Sequence, residues 1–205
     1  KLGSTGAGTQ TAALMFGGGS PYVSTTQEYD GSSWTGGGNM GNASRDRAPA
    51  GTQTAALGMT GYRPGSQGTT TSEEYNGSSW TAITNAGTAR YYGAGLGVST
   101  SAIVAGGTAP PTSNKNNAEL WNGSSWTAVA NLPGNISVAQ AGGTTSDGCV
   151  FGGIGSPYYP SYPKRTTKSD WDGSSWSTSP ASMSTARAFF GGAASSSPSV
   201  YATGG

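Results

Sequence analysis

The chain is 205 residues long, a length that suits one domain, but 36 Gly and 11 Pro make nearly a quarter of it while Leu, Ile, Val and Phe supply about a tenth. A net charge of +1 and 10% aromatic residues argue against a chain held open by self-repulsion and leave no electrostatic footprint for nucleic acid. With no His and a single cysteine, Cys149, the common zinc, copper and haem sites, a Ser–His–Asp triad and an internal disulfide are excluded, and no run of 18 apolar residues is present to insert into a membrane.

A repeat organises what remains. The first unit, about residues 1–40, has an extended segment within Lys1 to Gly8 and a short strand from Thr11 to Phe16 closed by Gly17-Gly18. A third strand ends at Tyr29 and a fourth opens at Trp34, after Asp30-Gly31-Ser32-Ser33. In the second unit, 41–86, Gly51-Thr52-Gln53-Thr54-Ala55-Ala56-Leu57 repeats Gly8-Thr9-Gln10-Thr11-Ala12-Ala13-Leu14, and Tyr75-Asn76-Gly77-Ser78-Ser79-Trp80 repeats the hairpin. The third unit, 87–132, has an extended segment from Arg90 to Gly97, a strand from Ser101 to Ala105 and the hairpin from Trp121 to Trp126. The fourth, 133–182, carries Gly152-Gly153 and Trp171-Asp172-Gly173-Ser174-Ser175-Trp176. A partial fifth, 183–205, holds a first and second strand within Ala186 to Gly205.

The hairpin tryptophans recur at intervals of 46, 46 and 50 residues. Asx-Gly between strand-forming runs predicts a type I′ turn with φ > 0 at both central residues. No stretch has helical periodicity, and the glycine density opposes a long helix. Four short strands repeated every 40 to 50 residues predict an all-β propeller, each sheet a blade. Small residues would crowd the axis, and Trp and Tyr would fill the wider gaps.

Gly-Gly closing a strand, then Tyr29 and Trp34 five residues later, resembles the kelch repeat. The Gly-Thr-Gln-Thr-Ala-Ala-Leu and Glu-Tyr-Asp-Gly-Ser-Ser-Trp arrays are similar to predicted proteins of marine bacteria and their phages. The resemblance implies a single kelch-like β-propeller domain over 1–205, with four complete four-stranded blades plus two extra strands. Its known functions span adhesins, lectin-like modules, protein scaffolds and occasional enzymes. The copper oxidases among them need His ligands, which this chain lacks. Kelch propellers commonly have five to seven blades. The two extra strands therefore begin a fifth blade of a longer polypeptide, close the ring on a short N-terminal blade, or complete a neighbouring chain's sheet. The opening Lys1-Leu2-Gly3, without Met or a signal pattern, suggests a processed product or a segment of something longer.

The four units differ most between second and third strands. These loops read Gly19-Ser20-Pro21-Tyr22, Tyr62-Arg63-Pro64-Gly65-Ser66-Gln67, Ala109 to Lys115, and Ser156-Pro157-Tyr158-Tyr159-Pro160-Ser161-Tyr162-Pro163-Lys164-Arg165. They are expected on one face, opposite the Asx-Gly hairpins. Pro-rigidified loops presenting Tyr and Arg suit a glycan or protein site. The candidate binding residues are Tyr22, Tyr62, Arg63, Tyr158, Tyr159, Tyr162 and Arg165; the competing reading is that the tyrosines cover blade edges.

Other candidates reduce to scaffold. Glu28, Glu74, Glu119 and Asp170 recur once per unit, on different blades, and so make no catalytic pair. Arg47, Arg90 and Arg187, in equivalent places, are expected to donate to backbone carbonyls between blades. Cys149 aligns with Leu14, Leu57 and Ile103 as a buried residue. Asn42, Asn76, Asn122 and Asn135 lie in glycosylation sequons, two of them by-products of the turn. The expected function is that of a non-enzymatic extracellular or virion-surface recognition module, with no cofactor, binding a glycan or a surface protein. The alternative is a structural subunit of a phage or cell-surface fibre, forming a homo-oligomer or virion assembly.

Overall fold

The computed structural model describes residues 2–65, 67–109, 113–156 and 163–205, and among these it contains strands and turns without an α-helix. Each predicted unit forms its own antiparallel sheet. The first runs β1 (Thr5–Gly8), β2 (Ala13–Phe16), β3 (Thr26–Tyr29), β4 (Trp34–Gly37). The second runs β5 (Ala48–Gly51), β6 (Ala56–Met59), β7 (Ser72–Tyr75), β8 (Trp80–Ile83). In the third unit β9 (Ala94–Val98) and β10 (Ser101–Ala105) are followed by a small pair, β11 (Thr108–Ala109) and β12 (Ser113–Asn114). The sheet then continues with β13 (Ala118–Trp121) and β14 (Trp126–Val129). In the fourth, β15 (Ile136–Ser137) pairs with β18 (Ile154–Gly155), and β16 (Gln140–Gly143), β17 (Gly148–Phe151), β19 (Lys168–Trp171) and β20 (Trp176–Thr178) make the sheet. The last unit is the hairpin β21 (Gly191–Ser196) and β22 (Ser199–Thr203).

The repeated hairpins differ from the predicted type I′ turn. Tyr29 pairs with Trp34, so the loop holds four residues rather than two. Gly31 alone among its residues has positive φ, and Gly77, Gly123 and Gly173 repeat it. The Asx side chain replaces the second left-handed residue: Asp30 Oδ1 accepts the backbone N–H groups of Ser32 and Ser33, both at 2.8 Å, an Asx turn. Those of Ser33 and Ser32, with their hydroxyls, hold the Asp30 carboxyl well below the usual carboxylate range.

Consecutive sheets pack face to face through small apolar clusters. Leu14, Phe16, Met40, Ala56 and Tyr75 lie between the first and second sheets, and Leu57, Met59, Ala102, Val104 and Trp121 between the second and third. Leu96, Ile103, Val150, Trp171 and Trp176 join the third to the fourth, and Cys149, Phe151 and Phe190 join the fourth to the last hairpin. Cys149 is fully buried, as expected, and burial pushes its thiol up to about 11.

The gap between sheets is narrow at the first strands. A Cβ on Gly95 of β9 would lie 2.2 Å from the Pro49 carbonyl of β5, and one on Gly142 of β16 would lie 2.4 Å from that of Ala194 in β21. At the fourth strands the filler is indole. Trp80 sits 4.8 Å from the Phe16 ring and donates through Nε1 to Thr26 at 2.8 Å, both in the preceding sheet. Trp126 likewise donates to the Thr84 carbonyl. Trp34, in the first of the described sheets, is 49% exposed.

The arginines correct another expectation. The backbone place of Arg90, four residues before the first strand, belongs in the second unit to Ser44, with Arg47 three residues later. Both guanidiniums nevertheless reach the same target inside their own sheet. Arg47 pairs with Glu73 at 2.8 Å and donates to the Gly58 and Thr71 carbonyls; Arg90 pairs with Glu119 at 2.5 Å and donates to those of Gly106 and Asn117. The two carboxylates also accept the backbone N–H groups of Gly41 and Gly87, in the connections that enter their sheets. Each ion pair thus pins an incoming connection to the third strand.

Two stability measurements check this packing. Trp80→Ala should cost about 3 kcal/mol in urea unfolding, with Trp34→Ala costing less than half as much, because Trp80 alone of the two fills an inter-sheet gap. Glu119→Ala, which strands Arg90 in the interior, should cost about 3–5 kcal/mol.

Candidate functional site

Antiparallel order puts the loops between second and third strands at the same end of each sheet as the N-termini of β1, β5, β9, β16 and β21. At that end lies a cavity of about 510 Å³, lined by residues from all five first strands and the segments entering them. Its rim is built by one backbone device. Two residues before each first strand stand Gly3, Asp46, Tyr92, Val138 and Phe189, and all five have φ between +55° and +67°. The Asp46 N–H donates to the Gly3 carbonyl at 2.9 Å, Tyr92 to Asp46 at 3.0 Å, and Val138 to Tyr92 at 3.1 Å. A left-handed conformation is costly for Tyr, Phe and above all β-branched Val. At Asp46, Tyr92 and Val138 it is held by these bonds between neighbouring rim peptides.

Aromatic side chains connect this rim to the outer loops. Ring centroids run from Tyr22 to Tyr62 at 5.8 Å, Tyr62 to Tyr91 at 5.2 Å, Tyr91 to Tyr92 at 4.9 Å, and Tyr92 to Phe189 at 5.8 Å. The Arg45 guanidinium lies 5.3 Å from the Tyr22 centroid and 4.9 Å from that of Tyr62, distances at which a cation is attracted to a ring face. Phe189 is 59% exposed, and the four tyrosines are half-buried. The Arg45 side chain also meets the Asp46 carboxylate at 3.3 Å. Burial pushes the Asp46 carboxyl up to about 6, against the opposing pull of Arg45 and a hydrogen bond from Tyr92.

The sequence-predicted residues divide accordingly. Tyr22 and Tyr62 meet in the aromatic chain. Arg63 stands outside it, close enough to Arg47 for its charge to lower the affinity of Arg47 for its proton, a smaller effect than burial. Tyr158, Tyr159 and Tyr162 lie outside the described residues. Arg165 lines a separate cavity of about 300 Å³ with Pro133, Asn135, Ile136, Ser156 and Ser169. That cavity occupies the place of a missing ion pair. In the fourth unit Ile136 stands at the position of Arg90, Ser169 at that of Glu119, and Pro133, which has no N–H, at that of Gly87.

Arg45, Asp46, Tyr91, Tyr92 and Phe189 were not singled out from sequence. They lie in the connections entering the first strands, which vary between units as freely as the loops that were chosen. The run Tyr91-Tyr92 was the available signal.

The Asp46 carboxyl carries a stability prediction. Its affinity for the proton is higher in the folded chain, about 6, than at its ordinary value of 3.8, so its contribution is full below 3.8 and is lost as pH rises through about 6. Asp46→Asn should therefore raise the melting temperature at pH 7.5 and leave it nearly unchanged at pH 4, as read by circular dichroism. No protein-family model matches the chain, and no curated protein matches its sequence.

Proposed function

We propose that the four sheets and the final hairpin are blades of a kelch-like β-propeller, and that its cavity face binds carbohydrate as a non-enzymatic, extracellular or virion-surface recognition module. The aromatic chain from Tyr22 to Phe189, with Arg45 between two rings at the mouth of the axial cavity, carries this reading. Tyrosine offers a flat apolar face and a hydroxyl at low entropic cost. A pyranose presents the complement, a face of C–H groups rimmed by hydroxyls. Arg45 and Asp46 supply a forked donor and an acceptor beside those rings. The propeller reading is supported by the order of the sheets, the glycine-close first strands and the shared cavity.

Glycan-array screening followed by calorimetric titration tests the proposal. At least one oligosaccharide should bind, and Tyr62→Ala or Phe189→Ala should weaken it about tenfold or more, the effect of removing an aromatic anchor. Absence of glycan binding, or binding that neither substitution changes, would overturn it. A second reading, a subunit of a fibre or appendage, is favoured by the edge of β22 that no strand among the described residues covers. It requires concentration-dependent polymers in sedimentation velocity, where the recognition module stays a discrete species.

A further inference from the structure

The fifth unit repeats half of a constellation that is complete in the third. Thr185-Ala186-Arg187 repeats Thr88-Ala89-Arg90. The backbones match: Arg90 takes its place between Thr69 and Gly61, and Arg187 between Arg165 and Gly153, by the same two hydrogen bonds. The guanidiniums match in part. Arg90 Nη1 donates to Gly106, the residue after its second strand, and Arg187 Nη1 donates to Gly204, the residue after β22. Arg90 then continues to Glu119, second residue of the third strand, whose carboxylate also accepts the N–H groups of Gly87 and Thr88. Among the described residues Arg187 makes no ion pair. In the fifth unit Ser184 and Thr185 stand in the places of Gly87 and Thr88, and neither is a proline.

The edge beside this constellation is open as well. The second strands β6 and β17 are buried throughout and β10 nearly so, each paired on both sides. Among the described residues β22 pairs only with β21, and Val200 is 39% and Tyr201 68% exposed. The fourth unit is the internal control. Where the arginine position holds Ile136, its third strand carries Ser169 instead of a carboxylate, and the connection carries Pro133. Arginine and acid are present together or absent together in the second, third and fourth units. The fifth has the arginine and, among the described residues, no acid paired with it.

We propose that the β22 edge receives an antiparallel β-hairpin from another polypeptide segment, one whose first strand carries a Glu or Asp at its second position and an aromatic residue two places later. Its backbone pairs with Ser199–Thr203, its carboxylate is held by Arg187, and its side chains cover Val200 and Tyr201. The occupant is thus a strand of the Ser72-Glu73-Glu74-Tyr75 type, with the Asx-Gly-Ser-Ser turn and fourth strand that follow it. The four such hairpins among the described residues pair within their own sheets.

A synthetic peptide spanning residues 69–83 is titrated into the intact chain by calorimetry, with amide hydrogen exchange read over 199–203. The peptide should bind and protect those amides. Arg187→Gln in the protein, or Gln in place of the Glu73 equivalent in the peptide, should each weaken binding about tenfold or more, and the two together should cost little beyond either alone. Arg187→Gln should leave the melting temperature within a few degrees, since Arg187 is not buried. Three results would overturn the proposal: no binding at millimolar peptide, binding insensitive to both substitutions, or self-association through β22 that the peptide does not displace.

Discussion

The close approach of neighbouring first strands governs this architecture. Where Gly95 meets the Pro49 carbonyl and Gly142 meets that of Ala194, there is no room for a β-carbon, so the inner edges of the sheets stack backbone on backbone. Pleated sheets held that close at one edge leave a gap at the other, and a chain with few aliphatic residues closes it with indole and phenol rings. The scarcity of Leu, Ile and Val is therefore no deficit of core. The apolar material is divided among small inter-sheet clusters, each needing a few large side chains and many small ones.

The same crowding shapes the cavity end. Each connection must turn into its first strand within a few residues of its neighbours, and it does so through a left-handed residue, which at Asp46, Tyr92 and Val138 is bonded to the preceding one around the rim. Non-glycine residues in this conformation store strain that the surroundings must hold in place. Here the Asp46 and Tyr92 peptides each serve both as donor and as acceptor along the rim. At these positions Val138 packs with Ile154 and Ala188, while Tyr92 and Phe189 continue an aromatic path begun by Tyr22 and Tyr62.

Charge is sparse, and two of the ion pairs serve assembly. The Arg47–Glu73 and Arg90–Glu119 pairs are buried, and burial lowers the proton affinity of both guanidiniums while the carboxylates oppose that loss. Such pairs contribute little net stability compared with apolar packing, but removing one partner is costly. Their value lies in geometry, since each carboxylate joins an incoming connection, an arginine and a third strand. The fourth unit does without the pair and has a cavity in its place, which shows that the sheet itself does not depend on it.

Period and strand number were legible in the residues alone, because the Gly-Gly and Asx-Gly-Ser-Ser-Trp signals are local: a turn is specified by the residues within it. Cys149 as a buried residue was legible too, by its alignment with Leu14 and Leu57. The hairpin loop was misread because two-residue and four-residue loops share the Asx-Gly pair, and only the strand register, Tyr29 on Trp34, distinguishes them. The partnership of Arg47 with Glu73 was hidden because a long side chain can reach one target from two backbone positions. The aromatic chain of the candidate site was half legible. Tyr22 and Tyr62 were found by their loops, whereas Arg45, Tyr91, Tyr92 and Phe189 joined them only through the tertiary structure. Sequence by itself determined what each unit is; which side chains of different units meet depends on how the sheets stack around a common cavity, a property of no single repeat.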